Sequence, residues 1–147
     1  MVYVRCARAF TGVGACAARA ERGRVGALAA MLPLAMTDRI LLVDDDDNTR
    51  VCLSQLLQLE GHPHDACSDS AEALSRLQSR AYGALLTDHV MPGMSGLELA
   101  RNAKQLYPDI RCFVLTGQPA PDASELGTIT WLSKPIDLDD LLSKLKA

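Results

Sequence analysis

Five side chains in this 147-residue chain have types and positions that could do chemistry together: Asp44, Asp45, Asp88, Thr116 and Lys134. Each follows a short apolar run. Ile40-Leu41-Leu42-Val43 ends in Asp44-Asp45-Asp46-Asp47, Ala84-Leu85-Leu86-Thr87 ends in Asp88, Ile110–Leu115 ends in Thr116-Gly117, and Thr128–Leu132 leads into Ser133-Lys134-Pro135. Carboxylates gathered in one place repel one another, so some retain protons unless a cation enters. Hard oxygen donors with positions left for water suit Mg2+, and the lack of His or Cys among them disfavours zinc. A lysine and a hydroxyl opposite the metal supply charge and a hydrogen bond for an anion with three equatorial oxygens, a phosphoryl group. The carboxylate left to act as nucleophile is Asp88, which would give an aspartyl phosphate.

Taken singly, each of these residues has a plainer reading. Asp88 could cap a helix starting near Ser95 or close a turn. Four successive Asp fit a solvated loop or a helix N-terminus, where acids suit the macrodipole. Thr116 alone is a strand-end hydroxyl and Lys134 a surface amine. Their order at successive strand ends is what favours a joint site.

The elements that must position them follow from periodicity. Arg39–Val43 is a continuous apolar run, the pattern of a central parallel strand buried on both faces. Asn48–Glu60 carries apolar residues at Val51, Leu53, Leu56, Leu57 and Leu59, with Gly61 at the helix C-cap. His62–Cys67, interrupted by Pro63, fits an edge strand. Ser70 is expected to cap a helix over Ala71–Ser79. Gly83–Thr87 is the third strand and Gly96–Leu106 the third helix, with Leu97, Leu99, Ala100 and Ala103 facing inward. After the strand Ile110–Leu115, the Pro-containing Gln118–Gly127 supports one helical turn or two. Thr128–Leu132 and the amphipathic Ile136–Lys146 complete five β-α repeats. The expected fold is α/β: a five-stranded parallel doubly wound (flavodoxin-like) sheet with helices on both faces and a short fourth helix. In such a sheet the strand carboxyl ends converge on one crevice.

The length suits one domain with a proper core. Of the 15 Lys and Arg and the 18 Asp and Glu, residues 1–36 hold five Arg and one Glu. That leaves 10 basic and 17 acidic residues in 37–147, a balance that argues against a nucleic-acid surface and suits a cation or a basic partner. Cys6, Cys16, Cys52, Cys67 and Cys112 form no C-x-x-C pair, and the last three, set in apolar segments, read as small buried thiols of a reducing compartment. Residues 1–36, rich in Ala, Gly and Arg and without clean periodicity, read as an over-extended start ahead of Met36 or a disordered extension, with a targeting segment as a further reading. The run Val25–Met36 is too short to span a membrane.

Residues 37–147 resemble the receiver domain of bacterial two-component response regulators. The resemblance rests on Ile40-Leu41-Leu42-Val43-Asp44-Asp45, Thr87-Asp88-His89-Val90-Met91-Pro92-Gly93-Met94-Ser95-Gly96, Val114-Leu115-Thr116-Gly117 and Ser133-Lys134-Pro135. It implies that Asp88 is the phospho-acceptor, and that Asp44 and Asp45 form the acid pair which, with Asp88, holds Mg2+, Asp45 directly. It further implies that Thr116 is the switch hydroxyl, that Lys134 contacts the phosphoryl group, that Lys134–Pro135 is cis, and that Trp131 is the aromatic switch residue. The function implied is a cytoplasmic, phosphorylation-dependent signalling switch rather than an enzyme. A histidine kinase or histidine phosphotransfer protein would supply it. With no effector domain after Ala147, the signal would leave through contact with an unidentified downstream protein, without nucleic acid or membrane, or the phosphoryl group would merely be stored, the domain acting as a phosphate sink. The interval from Thr116 to Lys134 is short for the family by roughly one helical turn, so a shallow loop around Pro119 and Pro121 is expected to replace much of the fourth helix and its output surface.

Two competing functions use the same residues. Asp45-Asp46-Asp47-Asn48-Thr49 also fits the D-x-D-x-T motif of haloacid-dehalogenase-like phosphohydrolases, with Asp45 as nucleophile and Asp47 as acid/base. A pure interaction module that never meets phosphate is the other.

Overall fold

The computed structural model describes residues 38–147; the expectations for residues 1–36 lie outside them. Five parallel strands, β1 (Ile40–Val43), β2 (His64–Cys67), β3 (Ala84–Asp88), β4 (Arg111–Thr116) and β5 (Thr130–Ser133), lie in the order β2-β1-β3-β4-β5. The helices are α1 (Asp47–Leu59), α2 (Ser70–Ser79), α3 (Gly96–Leu106), α4 (Ala123–Leu126) and α5 (Leu138–Lys146). This is the expected doubly wound sheet, with the Pro63-flanked β2 at one edge.

Alternation along the strands divides the core in two. Leu41, Val43, Leu85, Cys112 and Val114 face one side, where α2 and α3 contribute Ala73, Leu77, Leu99, Ala100 and Ala103. Ile40, Leu42, Leu86, Phe113, Leu115 and Leu132 face the other, against Leu53 and Leu57 of α1 and Leu141 and Leu145 of α5. A strand buried on both faces has no polar alternation to display, which is why β1, β3 and β4 read as continuous apolar runs.

Three expectations are corrected. The cap of α2 is Asp69, whose carboxylate accepts from Glu72 N at 2.7 Å, while Ser70 is the first helical residue and is buried. Asp and Ser are nearly equivalent caps, so two adjacent candidates are separated only by which one keeps extended backbone. On α1, Leu53 and Leu57 are buried, but Val51 is 53% and Leu59 84% exposed. At 3.6 residues per turn, Val51 and Leu59 fall about 140° from the middle of the Leu53–Leu57 stripe. Cys52 is exposed for the same reason, whereas Cys67 and Cys112 are buried. Burial pushes the Cys67 thiol to about 12 and that of Cys112 to about 11, so neither is a thiolate at neutral pH.

Candidate functional site at the carboxyl edge of the sheet

Strand register delivers the site. Val43 pairs with Thr87, which brings the next residues, Asp44 and Asp88, side by side. Asp88 pairs with Leu115, so Thr116 follows on the neighbouring strand, and Thr116 pairs with Ser133, one residue before Lys134. The Lys134 backbone N–H donates to the Thr116 carbonyl at 2.8 Å. All five residues singled out in the sequence therefore meet at one end of the sheet.

The geometry separates the four consecutive acids into two jobs. Asp46 is the α1 cap, accepting from Thr49 N at 3.1 Å, and Asp47 in the first turn pairs with Arg50. The helix-terminus reading thus holds for these two. Asp44 and Asp45 do not cap: with Asp88, each can place one carboxylate oxygen within 4.8 Å of the others. Asp44 is 1% and Asp88 8% exposed, while Asp45 faces solvent.

This donor set fits a hard divalent cation. Asp44 Oδ1 accepts from Asp46 N at 2.9 Å, but Oδ2 is buried and has no hydrogen-bond partner among the described residues. Burial raises the Asp44 carboxyl above its ordinary range; the Asp46 N–H opposes this, the Asp88 charge adds to it, and Lys134 lowers it. A buried carboxylate oxygen with no donor is a position that a cation would complete.

Asp88 does not cap α3. Ser95 does, in a capping box in which Ser95 Oγ accepts from Glu98 N at 3.3 Å and Glu98 Oε2 accepts from Ser95 N at 3.0 Å. The Asp88 carboxylate instead accepts from Lys134 Nζ at 2.9 Å. Thr116, 2% exposed, accepts from Gln118 N through its hydroxyl oxygen at 3.0 Å, leaving the hydroxyl proton to donate elsewhere. Lys134–Pro135 is cis, as the resemblance implies.

Trp131 lies at the rim of one core cluster, half-buried, with Nε1 donating to the Gln118 carbonyl at 3.3 Å. Its ring meets that of His89 with centroids 4.9 Å apart, tilted by 59°. Sequence reasoning did not find His89, Gln118 or Gly96 as members of the site. Gly96 had a signal in the Pro/Gly-punctuated loop. A Cβ there would lie 2.1 Å from the Asp88 carbonyl oxygen, so only glycine lets α3 begin against the Asp88 backbone, with Gly96 N donating to the His89 carbonyl at 2.9 Å. The expected short fourth helix is found: α4 has four residues, none buried.

Known proteins resemble this chain over most of the described residues. The family model for the response regulator receiver domain matches residues 40–146. The response regulator receiver protein CpdR of Brucella abortus is 38% identical over 112 residues, covering 74% of this chain and 93% of that one. Sporulation initiation phosphotransferase F of Bacillus subtilis is 29% identical over 115 residues, covering 76% and 93%. Among solved structures, the response regulator TrrA of Thermotoga maritima, in complex with Mg2+ and BeF, superposes with a TM-score of 0.68 at 34% identity, covering 74% of this chain and 96% of that one.

Proposed function

This chain belongs to the response regulator receiver family and is a phosphorylation-dependent signalling switch, and from that premise we propose how its own residues perform the switching. Asp88 is the phospho-acceptor. The observation that carries this assignment is its position: a nearly buried carboxylate, held by Lys134 at 2.9 Å, beside Asp44, whose Oδ2 has no hydrogen-bond partner among the described residues.

In the transfer, an Asp88 carboxylate oxygen forms the new bond to phosphorus as the donor's bond to phosphorus breaks, its electron pair leaving with the donor. For a phosphohistidine on a histidine kinase or phosphotransfer protein, that leaving group is the imidazole. Lys134 orients Asp88 beforehand and offers its positive charge to a phosphoryl oxygen. Thr116, buried with its proton free to donate, turns towards the same group. Asp44 and Asp45, with Asp88, are the residues that would hold Mg2+, which when bound supplies the charge that balances these carboxylates and the phosphoryl oxygens. TrrA, at 34% identity, takes Mg2+ and BeF together, which supports the same pairing here.

The movement of Thr116 reaches the surface through Gln118 and Trp131, and a downstream protein reads the outcome. The domain covers residues 37–147, the region in which the family match falls. Among the described residues no helix is long and apolar enough to cross a membrane, and the free thiols of Cys52, Cys67 and Cys112 fit a reducing, cytoplasmic setting. The phosphohydrolase alternative gains nothing from the site, since Asp47, its acid/base, is paired with Arg50 on the first turn of α1.

Titration of the chain with Mg2+, followed by beryllium fluoride, tests the assignment. Tight fluoroberyllate binding that requires Mg2+ and vanishes in Asp88→Asn is expected; undiminished binding by Asp88→Asn would place the acceptor elsewhere.

A further inference from the structure

Two routes join the Asp88 centre to Trp131. One consists of hydrogen bonds: Gln118 N donates to the Thr116 hydroxyl oxygen at 3.0 Å, and Trp131 Nε1 donates to the Gln118 carbonyl at 3.3 Å. The other passes through His89, the residue that follows Asp88. Its backbone is pinned on both sides, its N–H donating to the Leu115 carbonyl at 2.9 Å and its carbonyl accepting from Gly96 N at 2.9 Å. The side chain is held differently. Nδ1 is buried without a hydrogen-bond partner among the described residues, and the ring lies against the Trp131 indole at 4.9 Å. Packing, rather than a hydrogen bond at Nδ1, sets where the imidazole sits.

The indole is thus gripped twice. The Thr116–Gln118 route acts on its N–H, and His89 acts on its ring. A ring held by one flexible hydrogen bond would drift through a continuum, whereas one that also rests on a pinned neighbour has discrete resting places. We propose that His89 is a positioning residue of the switch: its ring is the stop against which Trp131 rests, and it ties the position of the indole to the state of Asp88. The role belongs to the aromatic shape of His89, not to its charge, so another planar ring at this position serves equally. This inference rests on the reading of Asp88 as phospho-acceptor, with the contact between His89 and Trp131 added to it.

Trp131 is the chain's single tryptophan, so 5-fluorotryptophan incorporated into the full chain gives one indole fluorine signal. The same 19F spectrum, with Mg2+ and beryllium fluoride added, reports bound fluoroberyllate. In the wild type, the indole line moves between two positions as fluoroberyllate binds. In His89→Ala, fluoroberyllate still binds, but the displacement of the indole line is at least halved and the line of the free chain is averaged. His89→Phe restores the two-position response. If His89→Ala does not fold, His89→Gln, which keeps volume without a ring, is read in the same way. A full wild-type displacement in a ring-less variant with fluoroberyllate bound overturns the role of His89 and leaves Asp88 untouched. Absence of any bound fluoroberyllate in the wild type removes the reading of Asp88 and this inference with it.

Discussion

The carboxyl edge of the sheet and the segment Gln118–Gly127 are joined at the end of β4, yet they are built in opposite ways. At the sheet edge, Asp44, Asp88 and Thr116 are 1%, 8% and 2% exposed and stand where strand register puts them. In the neighbouring segment, α4 is a single turn with no buried residue and no side-chain hydrogen bond at its cap. Its ties to the rest of the described residues are few, among them Arg101 Nη2 donating to the Glu125 carbonyl at 3.0 Å and Leu126 at the rim of the core. The sheet edge is fixed by burial and pairing, and the neighbouring segment is held by isolated contacts. Substitutions in the two regions should therefore differ in kind.

The largest effect is expected from Gly96→Ala. The added carbon would meet the Asp88 carbonyl oxygen at 2.1 Å and the His89 Cα at 2.9 Å, both backbone atoms that cannot swing away. A loss of about 3 kcal/mol in urea unfolding is expected, the upper end of what overpacking costs. A loss under about 0.5 kcal/mol would mean that the loop yields and that the chemical edge is softer than its packing implies.

Next is Lys134→Ala. Its ammonium holds the Asp88 carboxylate at 2.9 Å, but the lysine side chain is 33% exposed, so the stability change is discounted to about 1 kcal/mol. Phosphoryl acceptance from a small donor should fall by about a hundredfold, the usual cost of removing one charge-stabilising donor. Equal rates in mutant and wild type would dissociate Lys134 from the transfer.

Asp44→Asn is expected to act in the opposite direction on stability. Burial raises the Asp44 carboxyl, so its contribution to metal-free stability is complete below the pKa of the unfolded chain and is lost as pH rises through the folded value. The amide should raise metal-free stability near neutral pH by about 1 kcal/mol, flatten that slope and abolish the stabilisation by Mg2+. Thermal melts of both chains from pH 4 to pH 8 check this; a mutant less stable than wild type without metal would remove the strain assigned to Asp44.

The smallest effect belongs to the other region. Ser124→Ala, on the exposed α4 turn, should change stability by less than about 0.5 kcal/mol and leave Mg2+-dependent fluoroberyllate binding intact. A marked loss of binding would show that the two regions are not separable.

The same contrast governs what could be read from the sequence. The runs Ile40–Val43 and Ala84–Thr87 announced strands because burial on both faces demands continuous apolar residues, and a polar residue closing such a run marks where the strand meets its site. Asp44, Asp45, Asp88, Thr116 and Lys134 were legible for that reason, and the structure brings them together. The short fourth helix was legible too, because Gln118–Gly127 offers no stripe to bury. Contacts between elements were not. The ring pair His89–Trp131 joins residues 42 positions apart, and the bridge through the Gln118 carbonyl uses a backbone group that every residue possesses. Val51 and Leu59 are apolar in type but lie at an angle to the buried stripe, and Asp69 and Ser70 are both good caps, so residue type alone separates neither pair from its surroundings.

Whether Asp88 is the acceptor in a switch, rather than Asp45 in a hydrolase, is decided by incubating the chain with a radiolabelled small-molecule phosphodonor and Mg2+ and mapping the label by peptide mass spectrometry. One phosphoryl group per chain is expected, on Asp88, persisting through isolation of the protein; label passing through Asp45 with continuous release of phosphate would make the chain a hydrolase instead.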